Sequence, residues 1–350
     1  MKYLGIICCI YIFSCQYPVD ISNLPETQKF LVIDAQVTED HIRVYVAYSL
    51  EKVTSGGAYT LPKPPATKAF ILDSRGVRYT VKNTTGVIDT AFKGKIGETY
   101  QLLVEADGKN YESDKQTMQV SPELDSVVVR YTREGFRSKG DLLYDGFDVY
   151  AQAKDIPGKE NYYQWHWINY SRASYCLKAF ARAEGVDVLY PCNPADCWNI
   201  IQNEKVIVQH DKLRDGGVLN QFVVRVPYAT PPNTYHLQVE QRAISESVYD
   251  YLKSLETQTE NVGTLFDLPA QTRFNPNVYN LTDKNEKLLG VFSVYSYRDK
   301  VIQIDMRQII PGAEAKVFTL PAKFADDTRA SAPCTEETYR TKIKPKGWVN

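Results

Sequence analysis
The nine residues from Ile42 to Leu50 read IRVYVAYSL, with Ile42, Val44, Val46, Tyr48 and Leu50 at one parity and Arg43, Tyr45, Ala47 and Ser49 at the other. Side chains alternate between faces on a strand, so a segment sorted in this way specifies a strand with one buried face. The same period runs through FLVIDAQVT just before it, and KAFILD and VRYTVKN flank the turn residues Asp73-Ser74-Arg75-Gly76. In TYQLLVEADGKNYES, Asp107-Gly108 separates two strand-like runs and supplies the positive φ angles that a tight hairpin requires. Short strands punctuated at this spacing predict an immunoglobulin-like β-sandwich over residues 25–121. The Gly- and Pro-containing TSGGAYTLPKPP reads as an exposed loop within it.

A second β-rich region, residues 122–350, begins near Ser121-Pro122. Its candidate strands are SVVVRY, GFDVYAQA, NYYQWHWINY, KVIVQH, QFVVRVPY, YHLQVEQ, LLGVFSVYSY and VIQIDM. One segment departs from the two-residue period. In ISESVYDYLKSLETQTENVG, Val248, Tyr251, Leu252 and Leu255 recur at helical spacing, Ser245 or Ser247 can cap the start, and Gly263 can stop the helix. The chain is therefore expected to be mainly all-β, with one short helix near 246–260.

The N-terminus carries an address. Lys2 precedes an apolar run from Tyr3 to Phe13, which is too short for the roughly 20 residues of a membrane-spanning helix, and Gln16, Pro18 and Asp20 follow. Residues 1–14 read as a cleaved signal peptide and 15–24 as a tether. Ile12, Ser14 and Cys15 resemble the lipobox of bacterial lipoproteins, with Phe13 bulkier than the residue usual there. Cys8 and Cys9 leave with the signal. Cys15 becomes the lipidation site, and several acyl chains on one residue exceed the marginal grip of a single chain.

Four cysteines remain in an exported chain, Cys176, Cys192, Cys197 and Cys334, and an oxidising compartment predicts disulfides among them. Three connectivities are open. The CNPADC stretch can close a small loop from Cys192 to Cys197, leaving Cys176 for Cys334. Zinc is disfavoured, because the close pair has a four-residue gap and no CxxC partner follows it.

Charge and motifs narrow the function classes. The formal charge is -1, from 41 basic and 42 acidic residues, so no net field favours nucleic acid. None of His41, His166, His210 and His236 stands at a metal-ligand spacing, and neither a GxSxG elbow nor a P-loop occurs. No catalytic residue, metal or cofactor is expected. In DLLYDGFD the spacing of Asp141, Asp145 and Asp148 departs from a calcium loop and reads as a solvated turn. Tyr163, Trp165 and Trp167 share one face of a strand. Exposed, they form a stacking platform for a sugar or aromatic ligand; buried, they form the core of the second sandwich, which is the stronger expectation.

The order FLVIDAQVT, KAFILDSRGVRYTV, GETYQLLVEADGKNYES, NYYQW, YHLQVEQRAISESVYDYLKSLETQTENVGTLFDLPA, EKLLGVFSVYS and KPKGWVN resembles a family of Bacteroidetes outer-membrane lipoproteins known as a domain of unknown function, DUF4249. The resemblance runs from about Phe30 to Trp348. It is most specific at the helix start Ile244–Glu246, the Gly263–Phe266 turn and Gly290-Val291-Phe292-Ser293. It implies a lipoprotein often encoded beside a TonB-dependent receptor, and brings no established activity with it. Members typically carry paired cysteines before the final Lys-Pro-Trp element; here Cys334 stands there alone, with Glu337 in the partner's place. Asp89-Thr90-Ala91 and Asp125-Ser126-Val127 resemble an O-glycosylation acceptor pattern of exported proteins from such bacteria. The expected function is that of a non-enzymatic accessory or ligand-binding partner of a TonB-dependent receptor, anchored to the outer membrane through Cys15. The alternatives are a surface-anchored hydrolase of glycans or peptides and a structural protein of envelope assembly.

Overall fold
The computed structural model describes residues 29–49, 61–138, 142–173, 175–177, 189–193, 196–212, 214–230, 234–260, 273–308, 315–319, 332–334 and 339–349. The predicted signal peptide (1–14), the predicted tether (15–24) and Cys15 lie outside them, as does most of the 54–65 loop. The first seven strands are β1 (Leu31–Val37), β2 (Ile42–Tyr48), β3 (Lys68–Asp73), β4 (Arg78–Thr80), β5 (Thr99–Ala106), β6 (Lys109–Ser113) and β7 (Gln116–Thr117). β1 and β2 pair antiparallel from Leu31↔Tyr48 to Val37↔Ile42. The predicted parity holds at Ile42, Val44 and Val46, which are in the core, and at Arg43 and Tyr45, which are half-buried; Ala47 departs from it, being fully buried, and Tyr48 is only partly covered. Asp107 and Gly108 both take positive φ, 51° and 73°, at the β5–β6 hairpin. β5 is central in the facing sheet, and Ala69, Ile71, Leu102 and Val104 meet Ile33, Ile42 and Val44 across one apolar core.

The middle of the chain forms β8 (Leu124–Arg137), β9 (Leu143–Lys154), β10 (Tyr162–Arg172), β11 (Tyr175–Leu177), β12 (Leu189–Asn193), β13 (Trp198–Gln202), β14 (Val208–His210), β15 (Val218–Pro227), β16 (Ala229–Thr230) and β17 (Thr234–Ile244). It continues with α1 (Glu246–Glu260), β18 (Val278–Asn280), β19 (Leu288–Leu289), β20 (Phe292–Val294), β21 (Ser296–Asp305), β22 (Phe318–Thr319), β23 (Ala332–Pro333) and β24 (Arg340–Thr341). A sheet in the order β15-β9-β8 packs on a larger one in the order β21-β17-β10-β13-β24. Phe147, Val149, Leu219 and Val226 face Trp165, Leu237, Val239 and Ile304 between them. The chain is thus mainly β, with one helix among the described residues, at the predicted position. That helix buries Val248 and Tyr251 against Tyr162, Ile244, Val291 and Tyr295. It is too short to cross a membrane.

The boundary at residue 121 separates the first seven strands but not the later ones. β18 pairs antiparallel with β6, and β19 and β20 pair parallel with β1, so residues 278–294 complete the first sandwich from the far side of the second. Gly290 makes this return possible. It has φ 93°, and a Cβ there would stand 2.2 Å from the Ile33 carbonyl oxygen. The two sandwiches are riveted where the chain crosses: Ser121 N–H donates to Ser296 Oγ at 2.8 Å, Tyr295 Oη donates to Gln36 at 2.8 Å, and Arg298 pairs with both Glu39 and Glu123.

Candidate functional site
At the end of the first sandwich where β1 begins, four separate segments line a cleft of about 510 Å³. Lys29, Phe30 and Leu31 come from the start of β1, Tyr48 from the end of β2, Asp107 from the β5–β6 turn, and Asp283, Asn285, Glu286 and Lys287 from the turn before β19. Local chemistry shapes each wall. Asp107 is aimed by its left-handed turn conformation. The 281–287 turn is held by Asn280, whose Oδ1 accepts from the Thr282 and Asp283 amides at 2.8 and 3.2 Å, a side-chain mimic of a backbone turn.

Aromatic and charged groups alternate around the opening. The Lys29 ammonium sits 3.9 Å over the Tyr48 ring, and Lys287 stands 5.1 Å over Phe274, which packs 4.9 Å from Phe30. Tyr48 Oη donates to Asp107 Oδ2 at 2.7 Å; burial, and then this carboxylate, push its phenol up to about 12. Glu286 gathers Lys109 Nζ at 3.0 Å, Tyr111 Oη at 3.4 Å and the Asn280 amide. Such a cleft can stack a ring or aliphatic face on Phe30 and Tyr48, offer carboxylates to hydroxyls or ammonium groups, and offer lysines to anions.

The sequence-predicted site residues lie elsewhere. Tyr163 and Trp165 are 1% and 0% exposed in the second core, with Trp167 packed partly against it, so this face is no stacking platform. On the opposite face of β10, His166 is driven well below its usual value, first by burial and then by the Arg242 and Arg43 charges. His41 pairs with Asp40 at 2.8 Å. Cys197 is bonded to Cys334 with a Cα separation of 5.9 Å, so the short Cys192–Cys197 loop does not form. Cys192 is itself disulfide-bonded. The side chain of Cys176 lies outside the described residues, as do Cys15 and Asp141.

The reading of Asp145 and Asp148 as a solvated turn is corrected. They are 2% and 5% exposed on β9. Asp145 accepts from Tyr131 Oη and from the Glu134 and Lys316 amides, the latter two at 2.8 and 3.2 Å. Asp148 is held by Arg225, from 77 residues away, in a two-pronged ion pair. One acidic group escaped the sequence reading. Carboxylate oxygens of Asp155, Asp211 and Asp215 lie within 4.8 Å of one another, the group among the described residues whose spacing suits a cation. Burial raises the Asp155 carboxyl, with the nearness of Asp211 adding to it. Its oxygens are already served, by Tyr163 Oη and by the Gly216 amide at 2.9 Å, while the Asn161 amide and side chain serve Asp211 at 3.0 and 3.1 Å. The trio knots the end of β9 to the turn before β15. Its only signal in the sequence is a pair of turn-rich stretches, DIPGKEN and DKLRDGG.

Two β-sandwiches joined by strands from both ends of the chain define a mainly β protein, with an open polar cleft at one end. The chain belongs to the family described as domain of unknown function (DUF4249), whose model matches residues 16–301. That match starts immediately after Cys15 and ends inside β21, before the C-terminal strands. No curated protein matches the chain.

Proposed function
We propose that the mature chain is a Bacteroidetes outer-membrane lipoprotein, anchored by acyl chains on Cys15, that serves a TonB-dependent receptor as a non-enzymatic accessory or ligand-binding partner through the cleft beside its tether. The observation that carries this reading is that the cleft wall begins at Lys29, 14 residues after Cys15 in the sequence. Lys29 is both the first described residue and a wall of the cleft, so the chain from Cys15 spans at most about 50 Å. Anchoring on so short a lead confines the cleft to a thin layer above the bilayer and raises its effective concentration toward a membrane partner. The mixed lining, with aromatic faces, lysines and carboxylates, suits a polar protein loop or a glycan.

The test is affinity purification of the tagged protein from gently solubilised outer membranes, beside Cys15→Ala and a Lys29→Glu/Lys287→Glu variant. A TonB-dependent receptor is expected with the parent protein. It should be lost with Cys15→Ala together with incorporation of labelled palmitate, and lost with the double charge reversal while lipid is retained. Recovery of the anchored parent without any such receptor sinks the proposal.

A further inference from the structure
The final described stretch, from β24 to Val349, lies across one end of the large second sheet, on the face opposite the core. There the pairing of β10 with β17 and β13 sets Tyr170, His236 and Trp198 on one surface. Trp348 covers them: its ring centre is 5.2 Å from His236 and 6.1 Å from Trp198, and Tyr170 closes the other side of His236 at 5.9 Å. Gln303 donates to the Gly347 carbonyl at 3.2 Å, and Lys346 Nζ pairs with Asp299 at 2.7 Å. Cys334, tied to the residue before Trp198, fixes the near end of the segment.

This packing buries polar atoms without partners. His236 is 2% exposed, neither ring nitrogen makes a hydrogen bond of ordinary geometry, and the Lys346 carbonyl is the acceptor in nearest reach. The indole N–H groups of Trp198 and Trp348 are bare as well. Each such group is a standing penalty on the closed segment, offset by the aromatic contacts, the β13–β24 pairing and the Lys346–Asp299 ion pair.

Among the described residues no carboxylate faces His236, and the acceptor in its reach is the Lys346 carbonyl. β10 presents Tyr170, with Arg172 beyond it engaged by Asp196; β13 presents Trp198; β21 presents Gln303. The described carboxylates on this surface are each engaged: Glu240 by Arg242, Asp299 by Lys346 and Asp305 by Arg307. The segment itself brings Trp348, the Lys346 carbonyl and the exposed Lys342 and Lys344.

We propose that residues 340–349 form a proton-gated strap: a proton on His236 finds no free carboxylate among the described residues, lifts Trp348 from the sheet, and uncovers Trp198 and Tyr170. Burial already holds the imidazole below its ordinary 6.5. A group depressed in the closed state and ordinary in the open one favours the closed state at neutral pH. That preference fades as pH falls below the ordinary value toward the depressed one. With one proton per strap, the open-to-closed ratio rises up to about tenfold per pH unit across that window.

The experiment is hydrogen–deuterium exchange of the full, disulfide-intact chain, following the amides of residues 342–348 at pH 7.5, 6.5 and 5.5 after correction for intrinsic exchange. Protection is expected to fall by up to about tenfold per unit in the parent and to stay flat in His236→Phe. Trp348→Ala should be unprotected throughout. His236→Gln serves the same purpose if the Phe variant does not fold. Equal protection at all three pH values in the parent, the same pH dependence without His236, or full protection in Trp348→Ala each overturns the strap.

Discussion

Removing the Cys197–Cys334 bond should reveal how much of the stability is enforced through the unfolded chain. The two residues are 137 apart in sequence, yet both lie in one small buried cluster with Ala173 and Cys192. In the chain-entropy description, closing a loop of that size removes about 5 kcal/mol of disorder from the denatured ensemble. Alanine at both positions also loses the sulfur contacts, for roughly 1 kcal/mol more, and avoids leaving a buried hydroxyl unpaired. Whole-domain stabilities are about 5–15 kcal/mol, so Cys197→Ala/Cys334→Ala should be close to unfolding at 37 °C. Urea denaturation followed by tryptophan fluorescence measures the effect directly. Because the constraint acts on the unfolded state, the double variant should also show a steeper denaturant dependence, as a freer chain exposes more surface. A loss below about 1.5 kcal/mol with an unchanged slope would refute the reasoning, since the bond would then not restrict the denatured chain.

Four shorter expectations accompany it. Trp165→Ala, at a position with no exposure, should lower stability by about 3–5 kcal/mol in the same urea assay, with no separate effect on any ligand of the cleft. Gly290→Ala must relieve a backbone clash at positive φ and should cost about 1–3 kcal/mol, whereas Gly76→Ala, with open space around its Cβ, carries the φ penalty alone. Asp148 is held below the ordinary carboxylate range, first by its bonds from Arg225, so its contribution is present above the unfolded value near 3.9 and is lost as pH falls through the folded one. Asp148→Asn should therefore be less stable at pH 6 and show a shallower acid limb in thermal melts. Tyr48→Phe should remove one late phenolate step from a titration followed at 295 nm, because that phenol ionises at about 12.

The strand periods of β1 and β2, the Asp107-Gly108 hairpin and the bounds of α1 were legible because each is encoded within about fifteen neighbouring residues. β18 was not, and β19 and β20 were read only as parts of one run, LLGVFSVYSY, placed in the second region. They are two or three residues long, too short to show a period, and their partners β6 and β1 lie at the other end of the chain. Asp145 and Asp148 read as solvent-facing because nothing nearby in sequence announces Tyr131, Lys316 or Arg225. The cleft was hidden for the same reason, since no single stretch contributes more than a fraction of its wall. Its hairpin aspartate, however, was visible as a turn residue. Disulfide connectivity follows from β13 and the C-terminal stretch meeting in space, which spacing along the chain does not encode.

The strand exchange between the ends of the sequence also has a temporal side. Gln36 and Tyr295, hydrogen-bonded in the finished molecule, are 259 residues apart. At roughly 5–20 residues per second of synthesis, β1 waits on the order of 10–50 s for the strands that cover its edge. An uncovered hydrophobic edge is a template for pairing with other chains. The first sandwich cannot be sealed as an early, independent folding unit, and a chain interrupted before residue 294 would leave the ribosome with that edge still open.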